Sequence, residues 1–172
     1  YNVYKNNSAR LYNDNEALKN IFNVATEDTK KRFIILSSCG WGDVYQRMHH
    51  IARSLAKFGH DVNYITPAAV SNIDNKDITV SDLTRYSLEN LRIIDGVKIY
   101  SPIQAIQNGK QILNNYIDLV QDLLDLFIDA HQTIIVTYMP YQVRVIGSLK
   151  GNFVHIYECV DDHSDLEYAF WG

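Results

Sequence analysis

Cysteine is scarce: Cys39 and Cys159 are the only two in 172 residues, and neither belongs to a C-x-x-C pair. That excludes a disulfide framework and a thiolate zinc site, and it points to a reducing compartment. The six histidines show no H-x-x-x-H spacing, and the adjacent His49 and His50 diverge by about 100° on a helix. No metal site is expected from them. A basic surplus is missing too, because the net charge is −4. A general nucleic-acid binder would carry the opposite balance. No apolar run approaches the roughly 20 residues that cross a bilayer. No secretory leader is visible, although a chain opening on Tyr1 makes that absence weak. What remains is 47% hydrophobic and 21% charged residues, the composition of a folded globular chain long enough for one domain.

Residues 1–31 are rich in Asn and Lys and carry no strand signal. Within them, Asp14 followed by Ala17, Leu18, Ile21 and Phe22 predicts a short helix packed outside the main core. From Arg32 the pattern changes, and residues 32–172 read as one α/β domain. Phe33–Leu36 is a continuous apolar run, as in a strand covered on both faces. Val44, Met48, Ile51, Ala52 and Leu55 then recur with a period near 3.6, Gly59 ends that helix, and Asp61–Ile65 is a second strand. This is a βαβ unit, which is right-handed almost without exception. Residues 68–90 read as a polar, irregular surface excursion. Asp95-Gly96 marks a hairpin between Leu91–Ile94 and Val97–Tyr100. A long helix is expected next, with Leu113, Tyr116, Val120, Leu123 and Phe127 on one face. Thr133–Thr137, a short helix over Tyr141–Leu149 and a strand over Asn152–Cys159 complete the series. The alternation predicts a parallel sheet with helices on both faces, where ligands gather at the carboxyl ends of the strands.

Three segments fall at that edge: Ser38–Asp43, Tyr138–Gln142 and Asp161–His163. Gly40 and Gly42 allow close backbone approach beside a helix amino terminus, which carries partial positive charge. Asp43, with Gln46 three residues on, reads as a capping-box start. A dinucleotide fingerprint needs a third glycine where Tyr45 stands, and an acidic residue where the second strand ends in Thr66-Pro67. Both are missing, and so is the Gly-Lys-Ser/Thr of a P-loop. Gln46, Arg47, His49, His50 and Arg53 concentrate polar groups on the opening turns of the helix. Trp41 is either an anchor for the loop or a stacking platform.

At these residues the chain resembles a family. Ile35-Leu36-Ser37, Trp41, Gln46-Arg47-Met48-His49-His50-Ile51-Ala52, Leu55-Ala56, Gly59-His60-Asp61-Val62, Tyr64 and Pro67 together are similar to the first βαβ unit of GT-B-fold, group 1 glycosyltransferases. The nearest likeness is to bacterial enzymes of surface-polysaccharide synthesis. Met48 stands where that pattern has Pro. Tyr157-Glu158-Cys159-Val160-Asp161-Asp162 resembles a second block of the same group. The likeness spans about residues 32–165.

The resemblance implies a Rossmann-like domain that forms the amino-terminal, acceptor-side half of a two-domain enzyme. The carboxyl-terminal donor domain, with its E-x(7)-E glutamates, is then absent from this chain, which by itself is expected to be inactive. The implied reaction moves a sugar from a nucleotide-sugar co-substrate to a glycan or lipid-linked acceptor, with neither cofactor nor metal. The implied location is cytoplasmic, at the inner membrane face where the acceptor is lipid-linked, with peripheral membrane contact there and no nucleic-acid partner. Asp161 and Asp162 are the expected catalytic carboxylates. Gly40, Trp41, Gly42, Gln46, Arg47, His49, Tyr138 and Gln142 are the expected substrate-binding residues. His163 reads as a loop residue, and Cys39 as a small side chain in a tight turn. The competing expectation is a stand-alone Rossmann-like module that binds a ligand or protein without catalysis.

Overall fold

A computed structural model describes residues 29–42, 45–73, 77–126 and 132–158. Its elements are β1 (Arg32–Leu36), α1 (Arg47–Lys57), β2 (Asp61–Ile65), β3 (Ala69–Asn72), α2 (Val80–Glu89), β4 (Arg92–Ile94) and β5 (Val97–Tyr100). They continue with β6 (Ile103–Gln107), β7 (Lys110–Asn114), α3 (Tyr116–Asp125), β8 (Thr133–Thr137), α4 (Val143–Ser148) and β9 (Val154–Tyr157). The main sheet runs β4-β5-β2-β1-β8-β9, and a smaller one runs β3-β6-β7.

β1 and β8 are buried along their whole length, in keeping with the apolar runs Phe33–Leu36 and Ile134–Val136 within them. On one face of the sheet, Phe33, Ile35, Val62 and Tyr64 meet Met48 and Ala52 of α1. On the other, Ile34, Leu36, Ile65 and Ile135 meet Leu119 and Leu123 of α3 and Val145 of α4. The fold is therefore α/β with helices on both faces. The expected wholly parallel sheet is corrected to a mixed one, because β4 runs antiparallel to β5. Its hairpin turns on Asp95 and Gly96, both at positive φ (51° and 80°), the backbone a two-residue primed turn demands.

Two further expectations change. The stretch 68–90 is not irregular, since it holds β3 and α2. Thr79 caps α2 by accepting from the Asp82 N–H, while the Asp82 carboxylate reaches back to the Thr79 N–H. The long helix after Tyr100 begins only at Tyr116. Leu113 belongs instead to a β6–β7 hairpin that turns on Asn108 (φ 50°) and Gly109 (φ 73°). An Asn-Gly pair is a strong hairpin signal, and here it outweighs the helical spacing of the apolar residues around it.

At the amino-terminal end of the sheet, the Asp61 carboxylate receives Arg32 and Lys98, each at 3.0 Å, tying β1, β2 and β5 together. Burial pushes the Asp61 carboxyl up, but the hydrogen bonds and charges of Lys98 and Arg32 outweigh it and hold it below its ordinary value. Strand order reverses between β1 and β8, so a crevice is expected at their carboxyl ends. Among the described residues, no helix is long and apolar enough to cross a membrane.

Candidate functional site

The loop after β1 forms one wall of that crevice. Ser37 is fully buried, and its Oγ lies 2.5 Å from the Tyr64 hydroxyl and accepts from the Cys39 N–H at 3.0 Å. Trp41 packs edge-on against Tyr64 (ring centroids 4.8 Å apart) and His49 (5.1 Å). Of its two readings, anchor and platform, the anchor accounts for its burial. Gly42 sits at φ +99°, a conformation that side chains with a Cβ rarely adopt.

His49 is the centre of this wall and is fully buried. Its Nδ1 accepts from the Gln46 N–H at 3.0 Å, and its Nε2 lies 3.0 Å from the Gly40 carbonyl and 3.1 Å from the Tyr64 hydroxyl. A carbonyl only accepts, so Nε2 carries the proton and donates to it. Cys39 Sγ lies 3.9 Å from the same nitrogen, which is a donor and so offers no base to the thiol.

The first residue of α1 is Arg47 and its N-cap is Gln46, not Asp43. The His49 ring reaches back to the N-cap amide as a Glu or Gln side chain does in a capping box. That anchored histidine sets where the helix begins. Asp43 itself lies outside the described residues. His49 thus serves the loop rather than an open ligand surface.

The opposite wall follows β8. Gln142, fully buried, accepts from the Tyr138 and Met139 N–H groups (2.9 and 3.0 Å) and donates to the Ser37 carbonyl at 3.3 Å. One amide side chain therefore ties the two loops across the switch point. Tyr138 is 2% exposed, and its hydroxyl lies beside the Glu158 carboxylate without a hydrogen bond of good geometry. Burial raises its pKa, and the nearby Glu158 carboxylate raises it further, so the phenol stays protonated and can donate. Arg47 and Glu158 pair at 2.6 Å across the crevice mouth, with Arg47 largely exposed and Glu158 mostly covered.

The expected binding residues thus separate by environment. Gly40, Trp41 and His49 build one wall, with Gly42 exposed at its rim and Gln46 exposed at the N-cap. Tyr138 and Gln142 build the other wall, and Arg47 stands at the mouth. Asp161, Asp162 and His163 lie outside the described residues. Three contributors were not expected: Ser37, Tyr64 and Glu158. Tyr64 shares a strand face with Val62 beneath the β1–α1 loop, a position legible in the two-residue alternation of β2. Glu158 directly follows a strand, at the edge where ligands collect.

The two strand ends bring together a guanidinium that suits an anionic group, a carboxylate that accepts, and a buried neutral phenol. Among the described residues, no group of three His, Cys, Asp or Glu side chains could hold a metal ion. Comparisons with protein-family models, with curated proteins and with solved structures find no match.

Proposed function

We propose that this chain is the acceptor-side, Rossmann-like domain of a GT-B-type glycosyltransferase that transfers a sugar from a nucleotide-sugar to a glycan or lipid-linked acceptor. One observation carries the reading. The two sequence blocks that resemble this family lie at opposite sides of a single switch point, and Arg47 of the first pairs with Glu158 of the second at 2.6 Å.

The chemistry is consistent with that pair. In transfer, an acceptor hydroxyl oxygen forms a bond to the anomeric carbon while the bond from that carbon to the diphosphate breaks. The hydroxyl proton leaves to a carboxylate, and negative charge grows on the departing phosphate. Arg47 suits the phosphate, Asp161 and Asp162 suit the proton, and Glu158 and Tyr138 suit orientation of acceptor hydroxyls. The donor domain, a cytoplasmic site and contact with the membrane surface through a lipid-linked acceptor belong to the same proposal.

The test uses the polypeptide encoded by the whole reading frame. Nucleoside diphosphate release is measured over a panel of nucleotide-sugars, with and without glycan acceptors. Release with at least one donor, reduced about 100-fold or more by Asp161→Asn, Asp162→Asn or both, is expected. No release from any donor by a folded protein overturns the proposal.

A further inference from the structure

α1 begins against the usual charge rule. The amino terminus of a helix carries partial positive charge and free N–H groups, so its first turn ordinarily holds Asp or Glu. Here the first residue is Arg47, and the first turn contains no acidic residue. Met48 and His49 are buried, whereas the Arg47 side chain is 66% exposed, so packing does not require an arginine there. Its charge adds to that of the helix end. Among the described residues, the carboxylate that meets it comes from another element: Glu158, directly after β9, at 2.6 Å.

Glu158 has a second neighbour. The Tyr138 hydroxyl is buried, lies beside the Glu158 carboxylate without a hydrogen bond of good geometry, and is close enough to Arg47 to feel its charge. Tyr138 directly follows β8, and the Glu158 N–H donates to the Thr137 carbonyl at 2.9 Å, which fixes the Glu158 backbone beside that strand end. The carboxylate thus has two partners within reach, a guanidinium at the rim and a phenol beneath, and it is engaged with the first. An ion pair open to water on its arginine side contributes little stability, so giving it up costs little. A phosphate group competes well for the same guanidinium, because it carries more charge and its oxygens match the planar fork.

We propose that Glu158 is an internal stand-in for a phosphate group at the start of α1: a phosphate or diphosphate ligand displaces it from Arg47, and the freed carboxylate turns to accept from the Tyr138 hydroxyl. Before the anion arrives, Arg47 and Glu158 neutralise each other. Afterwards Arg47 holds the phosphate, and Glu158 is fixed by the phenol with a lone pair left for an acceptor hydroxyl. Filling the anion position therefore readies the acceptor side, with no covalent step. The identity of the anion as a donor diphosphate rests on the sugar-transfer reading, whereas the exchange itself needs no turnover.

The test titrates inorganic pyrophosphate into the full 172-residue chain by isothermal calorimetry, at low salt and near neutral pH. Glu158→Gln keeps the shape of the side chain and removes the competing charge, so it should tighten binding about fivefold or more over the parent. Arg47→Gln should abolish binding in the parent and in the Glu158→Gln background alike. Arg53→Gln, which removes the other arginine of α1, should leave the tightening intact. Tyr138→Phe should weaken binding about twofold in the parent, where the released carboxylate loses its second partner, and should change nothing in the Glu158→Gln background. Native far-ultraviolet dichroism is expected throughout. Equal affinity of parent and Glu158→Gln would overturn the proposal, as would binding by neither. So would tightening that survives Arg47→Gln or disappears with Arg53→Gln, which would mark an adventitious ion only. Turnover by the whole reading frame without the pyrophosphate effect would sink the exchange and spare the sugar-transfer reading; the pyrophosphate effect without turnover would do the reverse.

Discussion

The two walls of the crevice are built from similar residues and behave as opposites. On the β1–α1 side, Ser37, Tyr64 and His49 spend their polar atoms on one another and on the loop backbone, under a tryptophan lid. On the β8–β9 side, Gln142 is equally spent, but the Tyr138 hydroxyl is buried beside the Glu158 carboxylate without a well-formed hydrogen bond, and Glu158 holds an arginine that stands in solvent. A buried polar atom left unmade is costly, so proteins keep few of them. The contrast separates a wall whose polar groups are spent from one with polar groups to spare. The first wall holds a shape, and the second has hydrogen-bonding capacity left over.

Three substitutions probe that contrast. The largest effect is expected from His49→Ala, which removes the N-cap contact, the Gly40 contact and the ring packed between Trp41 and Tyr64. A loss of about 3 kcal/mol is expected, read as a lower denaturant midpoint in chemical unfolding. A loss under about 1 kcal/mol would break the assignment of this wall as scaffold. Next comes Gln142→Leu, which leaves the Tyr138 and Met139 amides unpaired and cuts the tie to the Ser37 carbonyl. About 2 kcal/mol is expected in the same measurement, with faster amide exchange in both loops, since the bond runs between them.

The smallest effect is expected from Tyr138→Phe. Its hydroxyl makes no well-formed hydrogen bond and sits beside the Glu158 carboxylate, so stability should stay within about 0.5 kcal/mol of the parent or rise slightly. If that hydroxyl serves a ligand, the same variant should weaken acceptor binding in calorimetry while leaving the melting temperature unchanged. A clear destabilisation would instead place Tyr138 with the scaffold wall.

Much of the frame was legible in the residues. Phe33–Leu36, Asp61–Ile65 and Thr133–Thr137 are apolar or β-branched runs of strand length. Asp95-Gly96 names its own turn, because both positions need a positive φ that Asp tolerates and Gly prefers. The β6–β7 hairpin carried an equally local signal in Asn108-Gly109, masked by helical spacing from Leu113 onward. The capping pair Thr79 and Asp82 likewise marked α2 inside a stretch that reads as polar.

The site was legible only as a location. The strand ends that meet at the switch point could be named, but the duty of each side chain there could not. His49 lies 100° around the helix from Met48, on the margin between apolar stripe and polar face. Its burial rests on Tyr64 of a neighbouring strand and Gly40 of the preceding loop. Neither partner is visible in helical periodicity.

Local chemistry was enough for the β1–α1–β2 unit and for the Asp95-Gly96 turn, because each depends on neighbours in the chain. Which buried groups are spent and which are spare was decided only when β1, β2, β8 and β9 came together. Part of the hydrogen-bond satisfaction there is local, but its decisive ties join partners 15 to 105 residues apart, from His49 and Tyr64 to Ser37 and Gln142. The same polar residue types therefore became lock on one wall and open hand on the other.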